Sequence, residues 1–195
     1  MTEGHHGRRW RSAVLLGLVG VAALACSQLE EGPRGLDLQG HQVAPLDAQA
    51  TATTLIFVRS DCPISNRYAP EMQRLHDEYD PAGMQFYLVY PDPDETPESI
   101  QRHTADYNLS VEVLRDPAHD LVDHVEATVT PSAAVFVGHQ LVYSGRIDDR
   151  YIDLGRARPM PTRQNLRDVL DAVATGEVPP LQRTRAVGCL IADLK

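Results

Sequence analysis

FVRSDCPISNRYAP, residues 57–70, carries a cysteine across the point where a strand pattern becomes a helix pattern. Residues 54–58, TLIFV, are short, apolar and rich in strand formers, as expected of a buried central strand. Beyond Cys62, residues Ile64, Tyr68, Met72, Leu75 and Tyr79 recur at steps of 4, 4, 3 and 4, the spacing of one helix face. Cys62 therefore belongs to the first turn of a helix. There it meets unpaired backbone N–H groups and the positive end of the helix dipole, and both favour thiolate over thiol. Pro63 fits the same turn, where its missing N–H is no loss. A reactive thiolate is the expected product of this geometry, and an inert buried cysteine is the alternative. Pro70, eight residues past Cys62, is expected to kink the helix.

Working outward, residues 84–90, MQFYLVY, read as a second strand. Pro97 opens a helix to about 107 that puts Ile100, Thr104 and Tyr107 on one side. Residues 111–114 suggest a short strand and 121–125 a helical turn. Residues 133–137 and 141–143, joined by Gly138-His139-Gln140, read as a hairpin. A last helix is predicted over 163–175, with Leu166, Val169, Leu170 and Val173 inward. Residues 37–50 alternate weakly around a turn at GHQV. Strand, helix, strand, helix, hairpin and helix predict an α/β sandwich with a central mixed sheet flanked by helices.

The 195 residues carry a net charge of −9, which argues against non-specific nucleic-acid binding. Residues 1–12 are polar and basic, and 13–25, AVLLGLVGVAALA, are uncharged and mostly apolar. Thirteen residues are short for a bilayer span and suit the apolar region of an export signal. The run ends Ala23-Leu24-Ala25-Cys26, which resembles a bacterial lipoprotein box in which Cys26 is lipidated. Ordinary cleavage after Ala25 and a retained anchor are the alternatives. The expected organisation is a signal peptide over 1–25, a tether over 26–36, one domain over 37–176 and a tail over 177–195. All three readings put the domain outside the cytoplasm, and the expected place is the periplasmic side of the cell envelope, attached to the membrane through Cys26 or a retained anchor. Outside the cytoplasm thiols are either paired or used, and after Cys26 only Cys62 and Cys189 remain.

Thr130-Pro131 stands just before the strand SAAVFV, and an X–Pro bond there is a candidate for the cis form. Together, the strand ending in Cys62, Pro70 and Thr130-Pro131 resemble the thioredoxin-like fold. They match its redoxin branch, which includes the TlpA-type periplasmic proteins and the alkyl hydroperoxide reductase/thiol-specific antioxidant group. The resemblance runs from about 36 to 175, with 177–195 as a C-terminal extension. It implies a thiol–disulfide oxidoreductase acting on protein thiols and disulfides, with Cys62 as nucleophile and Thr130 and Pro131 as the backbone ledge that receives an extended substrate. No cofactor is implied.

Where that branch has its second active-site cysteine, this chain has Ser65. A hydroxyl can donate a hydrogen bond to the Cys62 thiolate but cannot resolve a mixed disulfide. Either there is no turnover, or resolution falls to an external thiol or to Cys189, whose tail contains Pro179-Pro180 and can run back across the domain. A tethered thiol has an effective concentration in the millimolar range, which favours Cys189 where the geometry permits. A cycling pair, a permanent bond and no contact all stay open. Arg59 could lend positive charge to the thiolate but is expected to point to solvent. A peroxidase using Cys62 is one rival reading; Arg59 stands where a peroxidatic site wants threonine. The other rival is a copper-binding or redox-partner docking module, in which His103 or His124 approaches the two sulfurs. No close-spaced ligand pair supports a metal site. His41, His76, His119 and His139 are expected in turns or on exposed helix faces. GRIDDRYIDLGRARPMPTR, residues 145–163, is expected to be a surface loop with ion pairs of little net worth.

Overall fold

The computed structural model describes residues 1–2 and 32–191. The expected signal peptide, Cys26 and most of the expected tether lie outside the described residues. Backbone contacts divide the chain between Glu30 and Glu31, and the architecture below is that of the second unit. Among the described residues no helix is long and apolar enough to cross a membrane.

In chain order the strands and helices are β1 (Gly35–Leu36), β2 (Gln42–Val43), β3 (Ala52–Phe57), α1 (Pro63–Tyr79), β4 (Met84–Tyr90), α2 (Pro97–Asp106), β5 (Glu112–Arg115) and α3 (Asp120–Val125). There follow β6 (Val129–Thr130), β7 (Ser132–Val137), β8 (Gln140–Gly145), β9 (Tyr151–Asp153), β10 (Arg156–Ala157), α4 (Asn165–Ala174), β11 (Gln182–Arg183) and β12 (Cys189–Leu190). Eight strands form one mixed sheet in the order β11-β8-β7-β3-β4-β5-β1-β2. At its centre β3 runs parallel to β4, with Phe57 opposite Val89, and antiparallel to β7, with Phe57 opposite Ser132. The α/β sandwich expected from the sequence is thus present, with a thioredoxin-like arrangement around β3. Gly35 and Leu36, expected in the tether, already belong to the sheet through β2 and β5.

Both faces of β3 are buried, which is why TLIFV reads as an unbroken apolar run. Ile56 joins a cluster with Tyr68, Met72 and Leu75 of α1 and Leu166, Val169 and Leu170 of α4. Its neighbours Leu55 and Phe57 join a second cluster with Leu121, Val122 and Val125 of α3. Alternation along one strand thereby binds two helical layers. Each such side chain contributes about 1.5–3 kcal/mol on full burial. Helix α1 continues through Pro70 as one element, although that proline offers no N–H to the Asn66 carbonyl.

The 145–163 segment departs from expectation. Ile147, Asp148 and Asp149 are buried, while 152–160 are largely exposed. The Tyr68 hydroxyl donates to Asp148, and Asp149 accepts from the Thr162 hydroxyl at 2.6 Å and from the amides of Thr162 and Arg163 at 2.6 and 3.0 Å. Burial alone raises a carboxyl, yet these donors outweigh it and hold Asp149 at about 2. Charged residues are tolerated inside because each finds partners, which a composition-based reading cannot see.

The tail also belongs to the fold. β11 extends the sheet parallel to β8, and β12 pairs antiparallel with β6. Thr184 accepts from Arg146 N at 3.0 Å and shares a hydrogen bond with the Tyr143 hydroxyl at 2.7 Å. Ile191 is buried in the α3-side cluster, and its amide donates to Thr128 O at 3.0 Å.

Candidate functional site

Three segments meet at Cys62: the β3–α1 junction, the turn between β6 and β7, and the tail. Cys62 is the N-cap of α1, with extended backbone at φ −83° and ψ 111°, and Pro63 follows at the first helical position. Its sulfur accepts from the Ser65 amide at 3.5 Å and lies 3.3 Å from Thr130 O. The Thr130-Pro131 bond is cis, as its place before β7 suggested. Cys62 is bonded to Cys189 across 127 residues, with a Cα–Cα separation of 6.1 Å, inside the range a disulfide accepts. Of the three relations left open for these cysteines, the bond rules out no contact, and a cycling pair and a permanent bond both fit it.

In the disulfide form Ser65 meets Cys62 through its backbone. Its amide reaches the Cys62 sulfur, but its hydroxyl is buried without a hydrogen-bond partner. In the first helical turn the free N–H groups point at the N-cap, so the backbone occupies the position expected of the side chain. The ledge is also occupied: in the β12–β6 register Cys189 lies opposite Thr130, and Leu190 opposite Val129. The strand-pairing groups expected to receive an external substrate hold the protein's own tail.

Arg59, expected to point to solvent, is instead a clamp. It bonds Asp61 at 3.0 Å and Asp92 at 2.9 Å, and donates to Leu190 O in the tail at 3.3 Å. Behind the junction runs a network the sequence reading missed. Ser60 N donates to Glu95 at 2.8 Å, and Asn66 donates to Ser60 O at 3.0 Å. Asn66 Oδ1 lies 2.8 Å from His103 Nε2, whose Nδ1 lies 2.8 Å from the Tyr90 hydroxyl. Burial lowers His103 and raises Glu95, favouring a neutral imidazole and a carboxyl that resists ionisation despite its bonds to Ser60. A sequence signal existed for Asp92 and Glu95. β3 and β4 are parallel, so residues just beyond Tyr90 emerge at the same sheet edge as Cys62.

The histidines considered for copper are committed elsewhere. Both His103 nitrogens are engaged, and His124 stacks on Phe136 with centroids 5.7 Å apart. His119, expected in an exposed turn, is buried with Nε2 3.0 Å from Pro91 O. Among the described residues no three His, Cys, Asp or Glu side chains converge on a metal-sized site.

Residues 26–144 match the AhpC/TSA family. The chain belongs to that family. Among solved structures, an uncharacterized conserved protein from Geobacillus kaustophilus is 24% identical with a TM-score of 0.71, over 83% of this chain and 88% of its own. A hypothetical protein from Sinorhizobium meliloti is 22% identical with a TM-score of 0.67, over 81% and 88%. A putative thioredoxin from Neisseria meningitidis is 20% identical with a TM-score of 0.55, over 73% and 89%. These likenesses establish the thioredoxin-like redoxin fold. No curated protein matches the sequence.

Proposed function

We propose that this AhpC/TSA-family chain is an exported thiol–disulfide oxidoreductase whose working bond is Cys62–Cys189. The observation that carries the reading is that bond itself, placed at the start of α1 and against the cis Thr130-Pro131 turn. A helix start with an amide aimed at the sulfur favours Cys62 as thiolate, the form that takes part in exchange. Ser65 supplies that amide, Cys189 replaces the cysteine missing at 65, and Thr130 and Pro131 form the ledge that holds it. The partners are thiols or disulfides of other proteins. The polar, basic start, the apolar run 13–25 and Ala23-Leu24-Ala25-Cys26 support a lipid anchor on Cys26 and residence on the periplasmic side of the envelope.

Equilibrating the protein with mixtures of glutathione and glutathione disulfide tests the redox reading. The bond should open and close reversibly, with a midpoint more oxidising than about −300 mV. A bond that stays closed under dithiothreitol while the fold is intact defeats it. The mass of the intact exported protein reports separately on lipid at Cys26.

A second reading, thiol peroxidase, is favoured by the family match. It requires peroxide to reach the Cys62 sulfur, and that residue is fully buried. Consumption of hydroperoxide with a thiol donor, lost on Cys62→Ser, would establish it.

A further inference from the structure

We infer that the two sulfurs work in an inverted order: external thiols and disulfides exchange at Cys189, and Cys62 is the internal partner that leaves and resolves. This rests on the redox reading above. The sequence suggests the opposite assignment, since Cys62 holds the place of an attacking cysteine in the resembling fold. Three observations on the docked tail reverse it.

The first is access. Cys62 is 0% exposed and sits in the α1-side apolar cluster, whereas Cys189 is only partly buried against that cluster. No external nucleophile reaches the Cys62 sulfur while the tail is in place. The second is that contacts besides the disulfide hold the tail there. A Cβ at Gly188 would lie 2.0 Å from Thr130 O, so the backbone passes at a distance only glycine permits. Ile191 is buried, Thr184 is bonded to Tyr143 and Arg146, and Arg59 holds Leu190 O. Opening the S–S bond therefore leaves Cys189 over Cys62. The third is the leaving group. In exchange, the sulfur better stabilised as thiolate departs faster, and Cys62 has the helix start and the Ser65 amide.

In the oxidising direction, a thiolate of a partner dithiol forms a bond to Cys189 Sγ. The Cys62–Cys189 bond breaks with its electron pair on Cys62, and the Ser65 amide donates a hydrogen bond to the thiolate so formed. A proton from water then neutralises Cys62, whose S–H has Thr130 O as acceptor at the 3.3 Å separation. The partner's second thiolate attacks its own sulfur in the mixed disulfide, releasing Cys189 as thiolate. The partner dithiol loses two electrons and becomes a disulfide, while the protein's disulfide is reduced and its two sulfurs take back from water the two protons that the partner's thiols gave up. In the reducing direction Cys189 attacks a partner disulfide and Cys62 closes onto Cys189, expelling the partner's thiolate.

The probe is glutathione, with the full chain carrying Cys26→Ser so that two sulfurs remain. Oxidised protein is mixed with glutathione, quenched with acid and mapped by peptide mass. Glutathione should be on Cys189, and finding it on Cys62 overturns the order. Reduced Cys62→Ser and Cys189→Ser variants are then offered glutathione disulfide. The thiol at 189 should react at least about tenfold faster than the thiol at 62, because access limits exchange; a faster reaction at 62 also overturns the order. If neither sulfur exchanges in the folded protein, the redox reading falls with it. Exchange through Cys62 removes only the order and leaves the redox reading standing.

Discussion

The two halves of the disulfide are built by different means. Around Cys62 everything needed is contiguous: a buried strand, a four-residue turn, an N-cap and a proline at the first helical position. Around Cys189 almost nothing is local. β11 and β12 are two residues each, and the tail is placed by Thr184 against β8, by Gly188 and Ile191 against β6 and its approach, and by Arg59 from the junction itself. One sulfur is positioned by neighbours in sequence and the other by neighbours in space. The locally built cysteine is the sealed one, and the remotely placed cysteine is only partly buried.

The contrast can be broken most severely at Gly188. Gly188→Val puts side-chain atoms where Thr130 O stands, so the tail should undock and the Cys62–Cys189 bond should fail to form. Closing a loop of this length stabilises a chain by roughly 4–5 kcal/mol on the entropic account, and most of that should disappear from a denaturant melt. Thiol titration should find Cys62 unmasked in the folded protein; an intact disulfide would show that the tail does not depend on this close pass.

Ile191→Ala weakens the same strap without steric conflict. Removing a fully buried isoleucine side chain costs about 2–4 kcal/mol. Here the loss should show as reduced global stability and faster amide exchange in the tail, with α1 protected as before.

The ledge can be loosened from beneath through Asp116, which accepts from the amides of Leu121 and Val122 at the start of α3, the helix that leads into β6. Burial raises Asp116 to about 6 from 3.8, against the pull of those amides and His119. The folded protein thus holds this proton more tightly than the unfolded chain. The resulting stability is fully present below about pH 3.8 and is lost as pH rises through about 6. Asp116→Asn should flatten that part of the stability–pH curve, removing a difference of about 2–3 kcal/mol. An unchanged slope would mean the carboxyl titrates normally.

Arg59→Gln gives the smallest effect. It removes the hydrogen bond to Leu190 O and the ion pairs with Asp61 and Asp92. About 1 kcal/mol should be lost, concentrated in the tail and visible as a modest rise in the rate at which glutathione opens the disulfide. An equal loss throughout the domain would argue against a clamp.

The junction was legible because periodicity survives wherever a whole face is buried. Residues 54–58 and the 4, 4, 3, 4 spacing from Ile64 to Tyr79 identify β3 and α1 nearly to their ends. MQFYLVY and the four inward residues of the last helix identify β4 and α4 in the same way. The proline preceding β7 suggested the turn that faces Cys62. What escaped was polar and remote. Asp148 and Asp149 look like surface residues until Tyr68 and Thr162 supply their donors. The Ser65 amide contact to the Cys62 sulfur was likewise unread, because it follows from the helix start and not from the side chain.

The sequence by itself determined that a strand would deliver Cys62 to the positive end of a helix, because burial and capping are set by residues a few positions apart. The tertiary structure alone decided that Cys189 would lie opposite Thr130 and cover that sulfur. Two-residue strands have no period to read, and their partners are chosen by the surface they meet once the rest of the domain is folded.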